Sequence, residues 1–167
     1  MPKKIFRDKG FTLIELLIVI VVISALSVTV FVAINPPKRL IDSRDARRRA
    51  DIENILTAIH EYIIDNGNLP PSLVAKAQNQ DWQLGTGTCT IQITTGGCFT
   101  QPGCVDFTSD LSKYLAKIPI DPLGGANTAL NTGYAINYSP PSNIITVKAC
   151  RTGALTTEGV ININQSR

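Results

Sequence analysis

The sequence predicts an α+β protein: one long N-terminal helix whose outer half packs on a small antiparallel sheet. Three observations carry that prediction. An apolar run from Phe11 to Ile34 holds a single charge, a second helical pattern continues to Asn66, and the last third of the chain breaks into short alternating segments separated by Gly, Pro, Asn and Thr. With 167 residues and 44% hydrophobic side chains, the chain suffices for one globular core plus one element outside it.

Charge narrows the partners. The formal net charge is +3, and Lys3, Lys4, Arg7 and Lys9, less Asp8, supply all of it within the first ten residues. The remainder is close to neutral, so no nucleic-acid footprint is indicated over the body. The mean hydropathy of +0.11 is pulled upward by the apolar run.

That run spans roughly 24 residues, about 36 Å as a helix, enough for a hydrocarbon core of about 30 Å. The basic leader ahead of it predicts that residues 1–10 stay in the cytoplasm and the body lies outside. An ordinary secretory signal has a shorter apolar stretch followed by a small-residue cleavage site. Here the small residue, Gly10, precedes the run. Glu15 lies inside it, where a lone carboxylate costs about 2.5–3.5 kcal/mol and calls for a partner. A cut between Gly10 and Phe11 creates that partner: a new α-amino group at Phe11, one helical turn from Glu15, within the chain or from a neighbour.

"KGFTLIELLIVI" resembles the class III signal of type IV prepilins and the related pseudopilins: a short basic leader, glycine at the cut, phenylalanine first, glutamate fifth, then an apolar helix. The resemblance implies that prepilin peptidase cleaves after Gly10 and N-methylates Phe11. It implies that Glu15 pairs with the Phe11 amine of an adjacent subunit as subunits leave the bilayer for a filament. The implied fold is the pilin fold.

Beyond the run, Asn35-Pro36-Pro37 interrupts the helix, because proline lacks a donor and disfavours a helical residue before it. A helix over 38–66 then resumes. Ile52, Ile55, Leu56, Ile59 and Ile63 form one apolar stripe suited to packing on a sheet, and Asn66-Gly67-Asn68 with Pro70 and Pro71 ends it. Arg44, Arg47, Arg48 and Arg49 admit contact with anionic lipid or DNA. The favoured reading is a solvated or intersubunit face balanced by Asp42, Asp45, Asp51 and Glu53. His60 reads as a surface or edge residue. "DARRRADIENILTAIHEYIIDNGNLP" also resembles the second half of the helix in major pseudopilins and simple pilins.

Downstream, residues 107–116 fit a short helix, and residues 133–140, 143–150 and 158–164 fit strands of an antiparallel sheet. Ile118-Pro119-Ile120-Asp121-Pro122 with its following glycines looks like the pseudopilin body, in which the loop after Asp-Pro can bind calcium. Asp121 is the calcium candidate, although no other carboxylate follows it before Glu158. No further cofactor is expected.

Cys89, Cys98, Cys104 and Cys150 form an even set without a C-x-x-C pair, which favours two disulfides in an oxidising compartment over a metal site. Three connectivities are open. "TCTIQITTGGCF" reads as two short strands around Thr95-Gly96-Gly97, which favours Cys89 with Cys98 and Cys104 with Cys150. No catalytic set is evident: the one histidine has its own structural explanation, and no phosphate-cradling glycine motif is present.

The expected organisation is a cleaved leader (1–10), a transmembrane and filament-core helix (11–34) and an extracytoplasmic pilin domain (35–167). The expected function is structural: the subunit of an extracellular type IV pilus-like filament, with itself, prepilin peptidase, the inner-membrane pilus assembly machinery and, before assembly, the membrane as partners. One alternative is a major pseudopilin of a type II secretion system. An alternative of another class is a single-pass anchored binding protein that does not polymerise.

Overall fold

The computed structural model describes residues 10–89, 98–122, 127–140 and 142–150, with the backbone of 162–165. Residues 1–9 of the expected leader, the Thr95-Gly96-Gly97 turn, the glycine pair at 124–125 and the start of the last expected strand lie outside the described residues. The chain divides into two units, Met1–Leu40 and Ile41–Arg167.

In the first unit, helix α1 (Leu13–Ile34) exposes every one of its side chains. None of the described residues covers its leucines, isoleucines and valines, which is the state of a helix that finds its apolar solvent elsewhere. Ser24 and Ser27 donate their hydroxyls to the carbonyls of Ile20 and Ile23 one turn back, so these polar groups are satisfied inside the helix. α1 ends at Asn35 in the left-handed region, with φ 46°; asparagine is among the few residues that tolerate it. Pro36 and Pro37 cannot donate backward to the α1 carbonyls. They do suit the first turn of a new helix, whose leading N–H groups have no internal acceptor. Helix α2 (Pro36–Asn66) therefore starts at the prolines rather than after them.

In the second unit α2 covers a five-stranded sheet of β1 (Asp81–Leu84), β2 (Thr100–Val105), β3 (Tyr134–Ser139), β4 (Ile144–Ala149) and β5 (Asn162–Gln165), in spatial order β2-β1-β3-β4-β5. Ile52, Ile55, Leu56 and Ile59 of the expected stripe are buried with Ala58, and Ile63 packs at the margin. They meet Leu84, Val105, Tyr134, Ile136 and the inward residues Ile145, Val147 and Ala149 of β4, which alternate with half-exposed neighbours as a one-face strand requires.

The sheet is mixed rather than wholly antiparallel. β3 pairs antiparallel with β1 and β4, and β4 with β5, whereas β1 and β2 run parallel. β2 is an edge strand that carries Pro102 and Gly103, and its register slips against β1 between Asp81 and Gln83. An edge is where a missing donor is tolerated.

Residues 108–114 form turns instead of the expected helix. Asp106 accepts from the Thr108 N–H and the Ser112 hydroxyl donates to the Ser109 carbonyl, so short polar side chains take backbone partners that a helix would use. The turn is tied to the end of α2 by Lys113 and Tyr114, which both donate to Asp65 (2.6 and 2.8 Å). A further single-turn helix, α3 (Pro71–Val74), follows α2, and Asp110 accepts from the backbone and hydroxyl of its Ser72.

The disulfides join Cys89 to Cys104 and Cys98 to Cys150, with Cα separations of 5.2 and 5.3 Å. This corrects the pairing favoured by the hairpin reading of residues 89–98. β1 and β2 pair in parallel, so they are not the two arms of one hairpin. The Gly103 N–H donates to the Cys89 carbonyl, which brings Cys104 beside Cys89, and Cys98 packs with Ala135 and Cys150 at the end of β3 and β4.

Candidate functional site: the processing and assembly segment

Gly10 and Phe11 lie ahead of α1 and are exposed, Phe11 by 82%. A Cβ placed on Gly10 meets nothing within 4 Å, so no packing inside the chain demands glycine there.

Thr12 caps α1. Its hydroxyl oxygen accepts from the Glu15 N–H (3.3 Å), and one Glu15 carboxylate oxygen, Oε2, accepts from both the Thr12 N–H and the Thr12 hydroxyl (2.8 Å each). This is a capping box, in which the first and fourth residues satisfy each other's polar groups at the helix start. Before any cut the carboxylate thus already has two donors from its own chain. The T-x-x-E spacing ahead of an apolar run is itself a sequence signature of such a helix start.

A second polar cluster ties α2 to the sheet. Arg48, fully buried, donates from Nε to Asp121 Oδ2 (2.7 Å), from Nη2 to Asp121 Oδ1 (3.0 Å) and from Nη1 to Asp45 (2.6 Å). Nearby the Tyr134 hydroxyl donates to Asp51 at 2.7 Å. Burial pulls the Arg48 pKa down, but its hydrogen bonds to Asp121 and Asp45 outweigh that and hold it above the ordinary value. Burial first, then the bond to Asp51, pushes the Tyr134 hydroxyl well above the usual tyrosine range.

Arg48 therefore corrects the reading of Arg44 to Arg49 as one solvated face: it turns inward while Arg47 and Arg49 stay exposed. Both carboxylate oxygens of Asp121, the calcium candidate, accept from the guanidinium. Among the described residues no cluster of three or more His, Cys, Asp or Glu could hold a metal. His60 is half-buried at the edge of the stripe.

The first unit thus holds an exposed helix long and apolar enough to cross a membrane, with a capped glutamate at its start, and the second an α+β body consistent with the pilin fold. A family model described as the prokaryotic N-terminal methylation motif matches residues 5–31. That match covers the signal alone, which is the signal of type IV prepilins and pseudopilins and does not divide the two. No curated protein and no solved structure matches the chain.

Proposed function

We propose that this chain is the structural subunit of a type IV pilus-like filament. Prepilin peptidase cuts it after Gly10 and N-methylates Phe11. Residues 11–34 hold it in the membrane until the assembly machinery draws it out, and neighbouring apolar helices then replace lipid. The observation that supports this most is the fully exposed α1, most of which lies within the matched methylation motif: one surface serves lipid before assembly and other copies afterwards. The capping box gives Glu15 an internal partner for the first state. The new Phe11 amine offers a stronger, charged partner for the second.

The test is the intact mass and N-terminal sequence of the protein from its native cells, with microscopy of the cell surface. A chain starting at methylated Phe11 and labelled surface filaments are expected. A chain starting at Met1, or cut after Ile34, overturns processing. A correct cut without surface filaments moves the protein to the secretion pseudopili.

A further inference from the structure

We infer that the half-buried Arg44 and the exposed Arg47 and Arg49, at the start of the second unit, dock onto anionic phospholipid headgroups in the leaflet where α1 emerges. The inference rests on the reading of α1 as a membrane anchor, not on processing or polymerisation. Four carboxylates are close enough in sequence to neutralise Arg44, Arg47 and Arg49, yet the fold takes two away. Asp45 is held by Arg48, and Asp51 accepts from Tyr134. Among the described residues no hydrogen bond or ion pair joins the side chain of Arg44, Arg47 or Arg49 to a partner. Lys38 and Arg39 precede them in sequence, and of the four carboxylates in this stretch only Asp42 and Glu53 have no hydrogen-bond partner of their own among the described residues.

Position names the occupant. At 1.5 Å per residue, Arg44 and Arg49 lie about 12 and 20 Å along α2 from Pro36, which sets the farthest they can be from the start of that helix. An arginine side chain and a Debye length of about 8–10 Å bring the headgroup field within reach. Each basic residue near an anionic leaflet is worth about fivefold in partition, so three contribute about a hundredfold. A basic flank on this side also runs against the charge asymmetry by which the leader sets orientation. It therefore serves something other than topology.

The full chain, with Ser43→Cys carrying a fluorophore, is reconstituted into phosphatidylcholine vesicles and into vesicles that also contain phosphatidylglycerol; both carry a headgroup quencher. Ser43 is exposed and the native cysteines are all disulfide-bonded, so the label is specific. Stronger quenching in the anionic vesicles is expected, abolished by high salt and by Arg44→Gln/Arg47→Gln/Arg49→Gln with its circular dichroism unchanged. Equal quenching in both vesicles, or a triple variant that keeps the difference, overturns the proposal and leaves these arginines to a second copy of the chain. Adding prepilin peptidase to the same vesicles and sequencing the product reads the processing reaction separately, so a failure of one leaves the other standing.

Discussion

Arg48 concentrates the energetics of the body in one side chain. Removing one partner of a buried ion pair strands the other, so Arg48→Met is expected to cost about 3–5 kcal/mol in denaturant unfolding of the full chain in detergent. Arg48→Met with Asp121→Leu should recover most of that loss, since a well-packed apolar pair replaces the charges. A double variant no more stable than the single one would show that the guanidinium holds the loop by shape rather than charge. Because that guanidinium already neutralises Asp121, adding calcium or a chelator is expected to leave Tm unchanged; a chelator-sensitive Tm would place a cation near Asp121 after all. Tyr134 gives a pH signature. Its folded pKa lies above its unfolded value of about 10, so its contribution is complete below pH 10 and declines above it, by about 1.4 kcal/mol per pH unit, until the folded pKa is reached. Tyr134→Phe should lose about 1 kcal/mol at neutral pH, where the bond to Asp51 is missing. Its stability should then fall less steeply in alkali than that of the parent; parallel alkaline slopes would refute the assignment.

At the scale of elements, the two disulfides close loops of different length. Cys89–Cys104 spans 15 residues and Cys98–Cys150 spans 52, so loop-closure entropy assigns about 3 and about 4 kcal/mol. Replacing each pair by alanines should therefore be more harmful for Cys98/Cys150, with peptide mapping of the unreduced parent confirming the pairs. The reverse order of Tm loss would mean that strain or residual unfolded structure outweighs loop length. The break between α1 and α2 was legible because two prolines remove donors whatever the context. Their position inside α2 was not, because proline is as good a helix starter as a helix ender. The stripe from Ile52 to Ile63 was legible for the same kind of reason: a 3.6-residue repeat needs no knowledge of its partner. The turn at residues 108–114 was misread as a helix because Asp106 and Ser112 take local backbone partners that spacing alone does not reveal.

At the scale of the molecule, the proposed assembly is tested at Glu15. Glu15→Ala removes a costly charge from the apolar run, so membrane insertion is expected to persist while filament assembly fails; fractionation and surface microscopy read the two separately. Normal filaments from that variant would end the pairing argument. The sequence by itself determined the membrane-compatible helix, the methylation signal, the amphipathic outer helix and the α+β class, because each rests on residues that are neighbours along the chain. Only the tertiary structure decided the parallel β1–β2 pair, the cysteine partners, the burial of Arg48 against Asp121 and the diversion of Asp51 from the remaining arginines. Those depend on contacts across 52, 73 and 83 residues, and the order of strands in space, which sets them, leaves no periodic trace in the sequence.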